Sequence, residues 1–172
     1  GGYADYVVLP AGNFLPIPEG LGYEDAAIAA DAVNTNWHCM RERAKIAPHD
    51  DVLLIGAGGG VGVHGIQVAK AFGARVIAAD ISDEKLEFAK KWGADEVINV
   101  REVNDIAEAA KKLTDGRGVD AAVDYVGASE TFTAAIEALA TAGRAVLIGA
   151  KPSSVRIDPL DLLINEKTIT GS

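Results

Sequence analysis

Short apolar runs alternate along this chain with stretches whose apolar residues recur every three to four positions, the two periods that separate strands from helices. One such run, Val52 to Ile55, leads into a cluster of glycines. Helical spacing then covers Val61 to Phe72, and a second apolar run, Arg75 to Ala79, ends on Asp80. Ser82 is placed to cap a helix from Asp83 to Trp92 that Gly93 stops, and Glu96 to Val100 reads as a short strand. A helix from Glu102 to Leu113, a turn from Asp115 to Gly118 and a strand from Val119 to Val126 follow. Ser129 is placed to cap a helix to Ala140, Gly143 breaks it, and Arg144 to Ile148 is the fifth strand of the series. Pro152 and Pro159 bracket an extended stretch from Ser153 to Asp158, before a helical turn around Leu160 to Asn165 and a further strand pattern at Thr168. Strands and helices alternating in this way imply an α/β fold, a right-handed, doubly wound parallel sheet with strand order 3-2-1-4-5-6.

Upstream of this alternation the pattern differs. GGYADYVVLP has a strand-like alternation, and Pro10, Pro16 and Pro18 make the stretch from Pro10 to Gly20 an irregular connector. An alanine-rich helical segment runs from Tyr23 to Ala44, with Asp31, Asn34, Thr35 and His38 spaced to share one face. Trp37, Phe72, Phe88, Trp92 and Phe132 fall where helices would face the sheet, and core is the expectation for them. The chain starts without Met and stops as a strand begins, so it reads as an excised piece of a longer protein.

The glycine cluster carries the chemistry. A pyrophosphate bound at a helix N-terminus lies against bare backbone N–H groups, favoured by unpaired donors and the helix dipole, and side chains at the closest turn would block it. The spacing that fits is Gly56-x-x-Gly59-x-x-Gly62, one residue longer than the common G-x-G-x-x-G, with Gly60-x-Gly62-x-x-Gly65 as a competing frame. Asp80 stands about 20 residues beyond, where a carboxylate can accept from a ribose hydroxyl. Strand, glycine turn, helix, strand and acid together outline a dinucleotide-binding unit.

Composition narrows the partners. With a net charge of −9 and a pI near 4.7, a nucleic-acid surface or an anionic membrane surface is not expected, and the Lys90-Lys91 and Lys111-Lys112 pairs read as solvated helix faces. The single Cys39 excludes a disulfide framework within the chain and reads as a small buried hydrophobe. No apolar run reaches the roughly 18 residues of a membrane span and no leader pattern is present, which makes a cytoplasmic location the expectation.

The lead-in GGYADYVVLP, the helix AADAVNTNWHCM, the turn GAGGGVG with GARVIAAD, and the phrases KWGADEVIN, DAAVDYVG, GRAVLIGA and INEKTITGS occur in an order and spacing that resembles the cofactor-binding domain of medium-chain, zinc-dependent alcohol dehydrogenases. The resemblance implies a Rossmann-type NAD-binding domain over residues 23–172, with residues 1–22 as the end of a substrate domain and a connector. It places the pyrophosphate over Gly59, Gly60 and Gly62, and Val61 behind the nicotinamide. Asp80 would accept from the adenosine ribose, with Lys85 near it, and the backbone of Val126, Ile148 and Ala150 would line the nicotinamide side. Thr35 would touch the nicotinamide ring, as the candidate catalytic residue. Asp31 takes the position of a catalytic-zinc ligand, which a carboxylate can fill. Zinc is implied for the parent enzyme but not for this chain alone, since the other ligands would precede Gly1. The implied reaction is hydride transfer between NAD and a small alcohol or carbonyl. The implied assembly is a homodimer or tetramer, formed through an edge strand at Val155, Arg156 and Ile157. Three alternatives stay open: a zinc-free quinone reductase-like domain, a non-catalytic nucleotide-binding module, and a methyltransferase.

Overall fold

The computed structural model describes residues 2–152 and 154–172, so Gly1 and the first residue of the extended stretch, Ser153, lie outside the described residues. Six parallel strands, β1 (Asp51–Ile55), β2 (Arg75–Asp80), β3 (Glu96–Asn99), β4 (Val119–Asp124), β5 (Leu139–Leu147) and β6 (Thr168–Gly171), form one sheet in the order β3-β2-β1-β4-β5-β6. This is the doubly wound topology expected from the alternating pattern, with Thr168–Gly171 completing it as the sixth strand.

β1 runs through the centre of the sheet, and burial on both faces explains its unbroken apolar run. Val52 and Leu54 enter one core with Ile66, Val76, Ala89 and Val123, beneath the helices α3 (Gly60–Ala71) and α4 (Asp83–Lys91). Leu53 and Ile55 point the other way, into a second core with Ile77, Ala107, Phe132 and Ala135, covered by α5 (Ile106–Lys112) and α6 (Ser129–Glu137). At the N-terminal ends of the strands Arg117 bonds both Asp51 and Asp120 at 2.7 Å, and Arg75 bonds Asp51 at 2.9 Å.

Residues 23–43 are helical throughout but not uniformly α. The α-helical pieces α1 (Tyr23–Ile28) and α2 (Asn34–His38) are each followed by a five-residue π turn, Ala29–Val33 and Cys39–Arg43, closed by Asn34 N–H on the Ala29 carbonyl and Ala44 N–H on the Cys39 carbonyl. The segment packs on α3.

Several sequence expectations change. The opening alternation forms no strand among residues 2–10, because no edge of this sheet pairs with it, and Tyr3, Tyr6 and Val8 are exposed. α5 starts at Ile106, four residues after Glu102, because the Asp105 carboxylate accepts from Glu108 N–H and caps it there. The N-cap of α6 is Ala128 rather than Ser129; Thr131 Oγ1 accepts from its N–H at 3.2 Å. β5 begins before Gly143, which permits close packing on the Val119 and Ala140 carbonyls rather than breaking the chain. Trp37, Phe88 and Trp92 are half-exposed instead of core, pairing as Trp37 with Phe72 and Phe88 with Trp92; Phe132 is buried. Val155, Arg156 and Ile157 belong to no strand of this sheet, whose edge beside β5 is β6, and Val155 packs inward against the second core. The closing helix α7 (Pro159–Ile164) leaves Leu160, Leu163 and Ile164 exposed.

Candidate functional site

The carboxyl ends of β2, β1 and β4 border a cleft of about 420 Å³, the position where doubly wound sheets bind ligands. Gly56, Gly59, Gly60, Val61, Gly62, Asp80, Lys85 and Val126 all line it, so most of the residues assigned to a cofactor from the sequence converge here. Ile148, Ala150, Thr35 and Asp31 do not line it. Ile148 packs against the first core, Ala150 is exposed beyond the end of β5, and Thr35 and Asp31 sit on the helical segment outside it.

The glycine turn is set by close contacts. Gly56 follows β1 with a φ of +80°, where a side chain would be strained and would also press on Val126 Cγ2 at 2.8 Å. Gly59 is the N-cap of α3, accepting from Val63 N–H at 3.0 Å. Gly62 lets α3 approach the end of β1, since a Cβ there would lie 2.9 Å from Ala57 Cα and nearer still to the Gly56 carbonyl. The frame Gly56-x-x-Gly59-x-x-Gly62 is therefore the one the turn uses, with three different reasons for its three glycines. The N–H groups of Gly60, Val61 and Gly62, in the first turn of α3, have no preceding helical carbonyl to bond, and Gly60 adds no side chain over them. They offer donors and the positive end of a helix dipole to an anion in the cleft.

Asp80 closes the other side of the turn. It is buried at 6% exposure, accepts from Gly58 N–H at 3.0 Å through Oδ2 and from Ile81 N–H at 2.8 Å through Oδ1, and has Lys85 Nζ 3.9 Å away. Each carboxylate oxygen keeps lone-pair capacity for a hydroxyl donor. Gly58 was not one of the glycines assigned a role. Its N–H fixes the acid, and a Cβ there would run into the Lys85 side chain and approach Asp80.

The opposite end of the cleft rests on residues that sequence reasoning missed. Asp124, fully buried at the end of β4, accepts from Val126 N–H at 2.8 Å, Gly127 N–H at 3.2 Å and Thr131 Oγ1 at 2.9 Å; burial raises its pKa above 3.8, outweighing these bonds. Tyr125 and Thr131 line the cleft. Behind the cleft the Tyr125 hydroxyl donates to Asn36 Oδ1 at 2.5 Å, while Asn36 Nδ2 donates to the Ala32 and Val61 carbonyls at 2.7 and 2.8 Å. The apparent polar face of the helical segment hid this: Asn36 is fully buried, whereas Asp31, Asn34 and His38 are exposed.

Asp31 accepts from Thr35 Oγ1 at 3.3 Å, which places the two on one side of the helix. Among the described residues no three His, Cys, Asp or Glu side chains come together to hold a metal ion. One exposed carboxylate does not satisfy zinc, which takes at least three protein ligands, so the described residues do not by themselves fit a zinc site.

The chain has relatives among known proteins. A family model described as zinc-binding dehydrogenase matches residues 60–172. An NAD-dependent alcohol dehydrogenase from Sulfurisphaera tokodaii is 34% identical over 173 residues, covering 100% of this chain and 49% of the relative. A quinone oxidoreductase from Homo sapiens is 29% identical over 171 residues, covering 99% of this chain and 51% of the relative. A crystal structure of an NAD-dependent alcohol dehydrogenase matches with a TM-score of 0.89 and 40% identity, over 100% of this chain and 50% of that one. The chain thus spans about half the length of the curated relatives it matches.

Proposed function

Because the chain belongs to the zinc-binding dehydrogenase family, we propose that it is the NAD-binding part of an oxidoreductase that moves a hydride between the nicotinamide and an alcohol or carbonyl substrate. The observation that carries this reading is Asp80, a buried carboxylate held by Gly58 and Ile81 at the rim of a cleft whose floor is the first turn of α3. Asp80 would take the adenosine ribose, with Lys85 alongside. The N–H groups of Gly60, Val61 and Gly62 would hold the pyrophosphate, and the chain past β1 toward Val126, Ile148 and Ala150 would receive the nicotinamide. The bound nicotinamide supplies the hydride carrier; the protein's own part is to hold it in one orientation and exclude water from one face.

Residues 1–22 are assigned in this reading to a substrate domain and connector, Thr35 to the nicotinamide ring and Asp31 to a single metal ligand whose companions are not among the described residues. The likeness to a quinone oxidoreductase supports a second reading, hydride transfer to a quinone. No helix among the described residues is long and apolar enough to cross a membrane; a cytoplasmic setting is part of the proposal, supported by a lone buried Cys39. Self-association is also proposed, supported by the exposed apolar side chains Ile157, Leu160, Leu163 and Ile164; sedimentation showing only monomer at high concentration would count against it.

Titration with NADH, followed by nicotinamide fluorescence and repeated with S-adenosylmethionine as competitor, tests the central claim. Saturable NADH binding that S-adenosylmethionine does not displace is expected. No NADH binding, or displacement by S-adenosylmethionine, would overturn it.

A further inference from the structure

We propose that Asn36, Tyr125 and Gly65 form a latch that positions the β4 side of the cleft for the nicotinamide half of the dinucleotide, an inference that rests on the dinucleotide reading above.

The cleft has two ends. Asp80 marks the β2 end as the adenosine side, and because the sheet order is β2-β1-β4, the remainder of a dinucleotide crossing the glycine turn arrives at Tyr125 and Val126. Tyr125 lines the cleft, and its hydroxyl, packed against Gly65 of α3, meets Asn36 Oδ1 at 2.5 Å. Burial drives the pKa of this hydroxyl well above its ordinary value of 10.0, so it stays a donor. Asn36 in turn donates to the Val61 carbonyl, in the first turn of α3, and to the Ala32 carbonyl in the π turn. Every polar atom of the Asn36 amide is thereby used, and a single buried side chain ties together the helical segment carrying Asp31 and Thr35, the helix under the pyrophosphate and the end of β4.

Gly65 makes the arrangement possible. A Cβ at this position would drive into the Tyr125 hydroxyl, and would lie 2.8 Å from Asn36 Oδ1 and 3.0 Å from Tyr125 Cζ. Three residues far apart in sequence are thus mutually required. The glycine is spent on admitting a hydroxyl, not on a turn or a phosphate.

A latch of this kind acts by preorganisation. With the hydroxyl bond intact, the Tyr125 ring, Val61 and the Thr35 helix hold one relative arrangement before ligand arrives. Without it, that ordering must accompany binding and lowers the affinity of whatever occupies the β4 end. The adenosine end, fixed by Asp80, Gly58 and Ile81, has no bond to the latch.

The test compares two probes on the full chain: NADH, which occupies both ends, and ADP-ribose, which lacks the nicotinamide. Tyr125→Phe removes only the hydroxyl. It should weaken NADH by about 5-fold, the scale of one buried hydrogen bond, and leave ADP-ribose within about 2-fold. Gly65→Ala displaces the hydroxyl while deleting no polar group; because its Cβ also crowds Asn36 Oδ1, it should weaken NADH more than Tyr125→Phe does and ADP-ribose less than NADH, and it keeps the test available should the first variant not fold, as judged by far-UV circular dichroism. Equal weakening of both probes would show a merely structural role and overturn the proposal, as would unchanged NADH affinity. If the unaltered chain bound neither probe, the dinucleotide reading itself would fail, and this inference with it.

Discussion

A phosphate on the adenosine 2′ position should be rejected at the Asp80 end of the cleft. Asp80 Oδ1 and Oδ2 each already accept one backbone N–H, at 2.8 and 3.0 Å. A ribose hydroxyl can still donate to a remaining lone pair, whereas a phosphate brings only acceptors and negative charge. Two unit charges about 4 Å apart repel by about 4 kcal/mol at an effective dielectric constant of about 20. Lys85 Nζ lies 3.9 Å from Asp80 Oδ1, but its side chain is 50% exposed and solvent screens it, so it offsets only part of the repulsion. If it offsets half, about 2 kcal/mol remains, or about 30-fold in dissociation constant. NADH and NADPH titrations at matched low ionic strength, followed by nicotinamide fluorescence, should differ by roughly that factor, and the difference should shrink as salt is added. Asp80→Ser should weaken NADH and strengthen NADPH. Equal affinity of the unaltered chain for the two nucleotides would refute the assignment of Asp80 to the ribose.

Gly62→Ala should destabilise the chain by roughly 1–3 kcal/mol through overpacking against the Gly56 carbonyl and the Ala57 backbone, read as a lowered denaturant midpoint. Asp120 is held below its ordinary 3.8 by the hydrogen bond from Arg117, and Asp161 by that from Lys167. Depressed folded values give a stabilisation present above the ordinary carboxylate range and lost as pH falls through the folded ones, so the denaturant midpoint should fall on acidification below about pH 4, less steeply in Asp120→Asn. Burial pushes the Cys39 thiol up to about 12. A thiol reagent at neutral pH should therefore leave it untouched until denaturant is added, and rapid labelling of the native chain would contradict its burial.

Sequence pattern and structure agree most closely where both faces of a strand are covered. In β1, Val52 to Ile55 must be apolar at every position, and the glycines after it must admit backbone, so the strand, the turn and Asp80 are readable together. Agreement fails where a local pattern has no tertiary partner or has an unforeseen one. The opening stretch with Tyr3, Tyr6 and Val8 reads like a strand but meets no ladder. Trp37, Phe88 and Trp92 look like core residues, yet they pair with other rings at the surface rather than with the sheet. Asn36 looks like one more polar position on a helix whose polar face is solvated; its burial depends on Tyr125, 89 residues away, and on the missing side chain of Gly65. No local periodicity contains that information. A polar residue between two solvated ones, opposite a glycine with no turn to make, is the only signal that could have prompted it.

The π turns in residues 23–43 separate how long that segment is from which way it points. A π turn closes its hydrogen bond over five residues where an α turn uses four, so each of the two, Ala29–Val33 and Cys39–Arg43, contains one residue beyond what helical continuity needs. Deleting a single residue between Ala29 and Val33 would let the turn close as α, and because a five-residue π turn and a four-residue α turn sweep nearly the same angle, everything before it would keep nearly the same position around the axis. Thr35, Asn36 and the sheet would keep their places. Residues 2–25 are exposed, so no packing of theirs on the sheet opposes the small shift that remains. The direction of this helix is therefore tolerant of a one-residue change in its length, made at a π turn without touching the cleft.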